Sequence, residues 1–295
     1  RGLVGSEMCI RDRSDTGCNT YPDAVDVDVD LGQAPIGSGR IAEVFAIDDR
    51  RVVKLLRPEW PLHFLDREAA AARAAHAAGV RTPDVLGTTV VDGRPGIVFE
   101  RIAARSMIEA AIDDLDRALE LADRLGDLQA ATLRTTTPGL ENVKQLLHRH
   151  IRQAELPAIV QATAAAVLDA LPDGDNTLHF DLHPGNVLVG DDGLTLIDWS
   201  NGSSGHPAAD LARTRLLMTA SAAGAVIDLD DQATRFVIEF AARHEARCHR
   251  QLDVSETDVD AWRLPVVAAR VHEVSGDERA ALQAEATRLA RVHAP

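Results

Sequence analysis

The sequence predicts an α+β fold in two lobes: an N-terminal antiparallel five-stranded sheet with one helix, then a mainly helical C-terminal lobe. Three observations predict it. In the first hundred residues, short β-branched runs are broken by Gly- and Asp-rich turns. From Ser106 onward the apolar residues recur at helical spacing. Within that helical half one stretch breaks the period: "LHFDLHPGNVLV" (178–189), followed by "GDDGLTLIDW" (190–199), two short apolar runs around an Asp-Gly turn.

Taken in order, "VDVDVDLG" (25–32) alternates strictly, and "QAPIGSGRIAEVFAIDDRRVVKLL" (33–56) carries further β-branched runs; together they read as three antiparallel strands. Asp26, Asp28 and Asp30 line one face of the first. A calcium loop is the wrong reading, because its sixth position is Leu31 where glycine belongs and its twelfth is Gly37 where glutamate belongs. That face is expected to be solvated. "PLHFLDREAAAARAAHAAGV" (61–80) is alanine-rich, ends at a glycine and reads as one helix. "DVLGTTVVDGRPGIVFERI" (84–102) adds two strands around an Asp-Gly turn. Helical periods follow in "MIEAAIDDLDRALELADRLGDLQAATL" (107–133), "ENVKQLLHRHIRQ" (141–153) and "AIVQATAAAVLDAL" (158–171), and resume after Trp199. No repeat, low-complexity tract or long linker intervenes, so the lobes are expected to meet near residue 102, as 14–102 and 103–295.

Residues 3–13, "LVGSEMCIRDR", back-translate codon by codon into a stretch resembling a sequencing-library transposon adapter. Residues 1–13 are therefore expected to be a non-native adapter-derived or an ordinary disordered segment, are left out of the fold reasoning, and Met8 is not taken as the start.

The formal charge is −15 at pH 7, from 31 Lys and Arg against 46 Asp and Glu, and no basic run stands clear of acidic neighbours. That excludes the phosphate-neutralising surface of a nucleic-acid binder; an acidic surface leans toward cationic partners. No apolar run approaches the roughly 20 residues of a membrane span, and no charged-then-apolar leader opens the chain, so no membrane partner is expected. Cys9, Cys18 and Cys248 are odd in number and lack metal-ligand spacing, which fits a reducing compartment, the cytoplasm by default. Composition leaves the oligomeric state open.

In "HFDLHPGN", His179, Asp181 and Asn186 fit H-x-D-x-x-x-x-N. This is the spacing of a phosphoryl-transfer loop, in which the aspartate takes the proton of the accepting hydroxyl and the asparagine holds magnesium. Asp198 in "LTLIDW" ends a strand where a second metal-ligating aspartate belongs; magnesium favours such oxygen ligands, shared with nucleotide phosphates. Two other readings stand beside this one. Zinc held by His179, Asp181 and His183 lacks the H-E-x-x-H spacing and leaves Asn186 without a task. A plain turn would use Asp181 and Asn186 only to satisfy its backbone.

Upstream, "IGSGRIAEV" reads G-x-G-x-x-A-x-V between two strands, so that Gly37, Ser38 and Gly39 let a backbone approach phosphates closely, with Ala42 at the third glycine position. Ten residues after Val44, Lys54 in "RVVKLL" falls on the third strand, where a nucleotide-phosphate lysine sits. Lys54 and Lys144 are the chain's only lysines, so a lysine here is informative where drift favours arginine. Glu68 opens the following helix as the partner that orients Lys54; its rival role is to offset the helix dipole.

These features in this order resemble the aminoglycoside phosphotransferase and choline kinase group of small-molecule kinases, from about residue 30 to the C-terminus. "HFDLHPGNVLV" is close to that family's H-G-D-x-H-x-x-N loop, with Phe180 in place of glycine, and "LIDW" matches its I-D-W/F metal strand. The resemblance implies a two-lobed protein-kinase-like fold, ATP and Mg as cofactors, a nucleotide-binding N-terminal lobe and a catalytic, substrate-binding C-terminal lobe. "GIVFERI" resembles the family's hinge, which implies adenine pairing with the backbone of Glu100 and Ile102. "PAADLAR" resembles its D-L-A segment, in which Asp210 would buttress the catalytic loop. His179 and His183 are assigned supporting roles in that loop.

Only eleven residues separate Asp198 from Asp210, and no A-P-E follows, so no activation segment is present to dock a polypeptide. His183 also stands where protein kinases usually carry lysine or arginine. The expected activity is therefore ATP- and Mg-dependent transfer of the γ-phosphoryl group to a hydroxyl of a small molecule. Asp253, Glu256, Asp258 and Asp260 are candidates to face a cationic acceptor such as an amino sugar or choline; the same residues read as a helix start after Ser255. Two alternatives are a catalytically idle nucleotide-binding module, against which Asp181, Asn186 and Asp198 argue, and a metal-dependent hydrolase using His179, Asp181 and His183.

Overall fold

Alternation along one strand sets the architecture of the N-terminal half. In Arg51–Leu56, Val53 and Leu55 are wholly buried on one face of the sheet, whereas Lys54 and Leu56 face the helix His63–Ala77 on the other. The structure, a computed structural model, describes Cys9–Arg11, Cys18–Thr20 and residues 23–113, 115–222 and 230–293. Of the segment 1–13, only Cys9–Arg11 (β1) is described, paired antiparallel with Cys18–Thr20 (β2); the rest, and the adapter expectation with it, lies outside the described residues.

The main sheet contains Gly37–Ser38 (β3), Ala42–Ala46 (β4), Arg51–Leu56 (β5), Val85–Val91 (β6) and Arg94–Glu100 (β7). Its order is β3-β4-β5-β7-β6, antiparallel throughout. The helix His63–Ala77 (α1) stops where Gly79 takes φ +84: its N–H bonds the His76 carbonyl at 2.9 Å and Val80 N–H bonds the Ala75 carbonyl at 3.0 Å. These two bonds close a Schellman motif, which only a residue tolerant of positive φ permits cheaply.

The sheet has five strands, as expected, but 25–32 is not one of them; its edge strand is Gly37–Ser38. Residues 25–30 run extended without a ladder, as an arm that alternates half-buried valines with exposed aspartates. Val25, Val27, Val29 and Leu31 pack against Phe45, Val53, Leu55, Val91 and Val98 on the sheet's outer face. The arm is tied on at its start, where Val25 N–H bonds the Thr88 carbonyl at 2.8 Å. Gly87 makes that approach possible, since a Cβ there would lie 2.3 Å from Val25 Cγ2.

The helical half begins with Arg105–Ser106 (β8), Met107–Asp113 (α2) and Leu115–Leu133 (α3). Glu141–Asn142 (β9), Val143–Gln153 (α4), Ala158–Ala170 (α5) and Asn176–Leu178 (β10) lead to the histidine-rich loop. Val187–Gly190 (β11) and Gly193–Leu196 (β12) then form the expected hairpin, with β8 on its far edge. Ser203–Gly205 (β13) pairs with β10 and β9. Among the described residues five α-helices follow: Pro207–Ala222 (α6), Asp231–His249 (α7), Glu256–Ala261 (α8), Arg263–Arg270 (α9) and Gly276–Val292 (α10).

Two cores hold the loop in place. One unites α4, α5, α6, α9 and α10 around Leu146, Ile151, Leu168 and Trp262. The other joins the two halves of the chain, with Leu65 and Ala72 of α1 in one cluster with Leu121, Leu125, Val187, Leu196 and Trp199. Each fully buried large side chain there contributes about 1.5–3 kcal/mol relative to exposure, so the hairpin carrying the site is fixed to both halves. No helix of the described residues is long and apolar enough to cross a membrane.

Candidate active site

The cleft between the sheet and the β11–β12 hairpin is organised around Lys54. Its Nζ lies 2.7 Å from Glu68 Oε1 on α1 and 3.2 Å from Asp198 Oδ1, just beyond β12. Glu68 therefore serves Lys54 from the second turn of the helix and is not spent on the helix dipole. Burial alone would lower the Lys54 amine, but Asp198 and Glu68 hold it well above its ordinary range. Burial pushes the Glu68 carboxyl up to about 7, against the pull of Lys54. Burial would also raise Asp198, yet Lys54 and a 2.8 Å hydrogen bond from Ser200 hold it at about 2. One lysine thus serves two carboxylates, and the one with the extra donor stays ionised.

The glycine hairpin lies over this site. Gly37 and Ser38 pair with Val44 and Glu43, and Gly39 N–H bonds the Ala42 carbonyl at 2.9 Å. Arg57, just past β5, clamps the tip through Gly39 O at 3.1 Å and Ser38 Oγ at 2.9 Å. A Cβ at Gly37 or Gly39 would meet only ordinary contacts, at 3.6 and 3.7 Å, so internal packing does not demand glycine there. At the edge of the cleft Glu100 is exposed, and Ile102 lies in the extended segment after β7. The Ile102 N–H meets no protein acceptor among the described residues.

The catalytic-loop candidates lie between β10 and β11. Asn186 Nδ2 donates to the Asp181 carbonyl at 3.0 Å and faces Asp181 Oδ2 at 3.5 Å, binding the two ends of the motif together. His179 is buried; its Nε2 is 3.0 Å from the Ile197 carbonyl and its ring meets Trp199 edge-on at 4.8 Å. His183 Nδ1 accepts from Gly185 N–H at 3.0 Å, capping the short turn Pro184–Asn186. His179 thus ties the loop to the chain just past β12, and His183 is spent within the loop. Among the described residues no group of three His, Cys, Asp or Glu is arranged to hold a metal ion. Asn186 and Asp198 each keep an oxygen that accepts nothing from the described residues, a donor set suited to a hard cation shared with phosphates.

Phe180 and Asp198 both take left-handed backbone, with φ of +60 and +65. Phe180 stands where the resembling family has glycine, and the left-handed turn explains that preference. Its ring compensates by entering the core, and its N–H donates to Asp210 Oδ1 at 2.6 Å. Asp210 in turn accepts from Gln129 Nε2 at 2.7 Å, so a buried chain of hydrogen bonds runs from α3 through α6 to the loop. Burial raises the Asp210 carboxyl.

The acidic run near α8 has other partners. Asp258 and Ser255 form a capping box, Asp260 pairs with Arg215 at 2.5 Å, and Asp253 and Glu256 are exposed. Sequence reasoning passed over Arg213, Arg270 and Glu273, which form an ion network beside Asp181. The signal for the first was present in "PAADLAR", whose last residue is Arg213.

Fold and site together define the phosphoryl-transfer class. A model of the phosphotransferase enzyme family matches residues 32–247. The chain belongs to this family and is a small-molecule kinase. No match to it stands out among curated protein sequences. Among solved structures, it is similar to a thermostable aminoglycoside phosphotransferase mutant in ternary complex with ADP and hygromycin B (TM-score 0.62, 15% identity, 94% of this chain and 96% of that one). It also resembles an amicoumacin kinase complexed with AMP-PNP, Ca2+ and Ami (0.61, 14%, 91% and 91%). A third is a choline/ethanolamine kinase family protein from Mesorhizobium loti (0.57, 16%, 88% and 87%).

Two outcomes follow from this geometry. Phe180→Gly relieves about 1–2 kcal/mol of left-handed strain but forfeits about 3–5 kcal/mol of buried ring, so a net loss of about 2 kcal/mol is expected in urea denaturation. Glu68, once folded, keeps a proton that the unfolded chain loses near 4.5, so its contribution is full below 4.5 and fades as pH rises through about 7. Glu68→Gln is expected to flatten that decline in the nucleotide-free protein, as read from urea midpoints between pH 4.5 and 7.

Proposed function

We propose that the protein transfers the γ-phosphoryl group of ATP, with magnesium, to a hydroxyl of a small molecule in the cytoplasm. The observation that carries this reading is Lys54 bridging Glu68 and Asp198, at 2.7 and 3.2 Å, which unites sheet, helix and hairpin in the arrangement a phosphate grip requires. Gly37, Ser38 and Gly39 cover the phosphates, with glycines that internal packing does not need. Adenine pairs with the backbone of Glu100 and Ile102, which the Ile102 N–H, without an acceptor among the described residues, supports.

Asn186 and Asp198 would hold magnesium, which when bound neutralises phosphate charge. Asp181 receives the acceptor hydroxyl and orients its oxygen toward the γ-phosphorus. As the new O–P bond forms and the bond to the β–γ bridging oxygen breaks, the hydroxyl proton passes to Asp181 and ADP departs. The transition state is loose, so positioning and charge neutralisation carry the catalysis. His179, His183 and Asp210 hold the loop that presents Asp181.

An ADP-release screen over amino sugars, choline, ethanolamine, homoserine, thiamine and simple sugars tests the reading, with Asp181→Asn as blank. At least one acceptor is expected to raise magnesium-dependent ADP release, and Asp181→Asn to lower it by about 100- to 10,000-fold. Equal rates in the two proteins for every acceptor would refute Asp181 as the base.

A further inference from the structure

We propose that Arg213 is a positioning residue for phosphoryl transfer: from α6 it supplies the fixed cation facing Asp181, and Glu273 locks it there. The proposal rests on the assignment of Asp181 as base. An aspartate opposite a polyanionic phosphoryl group is repelled by its substrate, and a fixed cation behind it offsets that repulsion. The loop does not supply one. His183, two residues after Asp181, accepts a hydrogen bond at Nδ1 and so carries no proton there.

Arg213 meets the requirement from a distant point in the sequence. Its Nη2 lies 3.6 Å from Asp181 Oδ1. That separation is an ion pair and not a hydrogen bond, so the cation aligns the carboxylate without using the lone pairs the acceptor hydroxyl needs. The arginine side chain is 1% exposed and the aspartate 20%, which puts Asp181 between Arg213 and the cleft. Solvent ions therefore screen the pair little.

The guanidinium is also held rigidly. It stacks over the Phe180 ring at 5.6 Å and pairs with the Glu273 carboxylate. Glu273 is itself gripped by Arg270 at 2.8 Å and His150 at 3.2 Å, and its carbonyl accepts from Arg40, beside the glycine hairpin. A planar fork fixed on one face by a ring and at one edge by a carboxylate loses little freedom when it serves a second carboxylate. Glu273 thus fixes both Arg213 and the phosphate-loop tip.

The test compares wild type, Asp181→Asn, Arg213→Gln, Arg213→Lys, Glu273→Gln and the Asp181→Asn/Arg213→Gln double variant. ADP release is read with ATP, magnesium and water as acceptor, and nucleotide Kd with a fluorescent ATP analogue. Arg213→Gln is expected to cut kcat about 100-fold while nucleotide Kd stays within about threefold. Arg213→Lys should recover part of the rate, and the double variant should be no slower than Asp181→Asn, as for groups acting as one unit. If Asp181→Asn is silent while Arg213→Gln turns over like wild type, the proposal is overturned and the base assignment survives. If Asp181→Asn itself turns over like wild type, the base assignment fails and takes the proposal with it. Should Arg213→Gln not bind nucleotide, Arg213→Lys and Glu273→Gln decide: lowered kcat at retained Kd supports the role, and unchanged kcat in both overturns it.

Discussion

Lys54 is a partly buried cation shared by two carboxylates from separate parts of the chain, and the site depends on that imbalance. Lys54, Glu68 and Asp198, if all ionised, sum to one excess negative charge, which is most expensive at the most buried of the three, Glu68. The excess falls on Glu68, whose carboxyl burial raises to about 7 and which has Lys54 as its one donor among the described residues, and spares Asp198, which also has Ser200 and stays near 2. The carboxylate facing the cleft therefore remains ionised, while the one behind the lysine absorbs the cost.

Much of this was legible in the sequence because the relevant residues are rare or locally patterned. Lys54 stood out in a chain with two lysines, and Asp181 and Asn186 lay within one short loop. The 25–32 stretch misled for a physical reason. Period-two alternation reports an extended backbone with one face covered, and says nothing about whether its N–H and C=O groups join a ladder. An arm lying across a sheet face leaves the same signature as a strand within it.

Arg213 and Glu273 were illegible for the opposite reason. Arginine is common throughout the chain, so Arg213 did not stand out even at the end of "PAADLAR", and Glu273 lies far from the loop in sequence with no local spacing to mark it. Only the packing of α6 and of the turn after α9 beneath Phe180 brings Arg213 to Asp181 and Glu273 to Arg213. Phe180 looked anomalous beside Asp181 for the same reason: its backbone obeys the loop, while its side chain belongs to the core below.

The valine arm also bears on where this protein can be cut. Similarity to the family begins at residue 32, just after the arm ends. A domain trimmed at that boundary would keep every residue of the site and lose the covering of the sheet's outer face, leaving Phe45, Val53 and Val98 as a sticky patch on an otherwise acidic molecule. The border of detectable kinship and the border of the unit that covers its own sheet fall at different places in this chain.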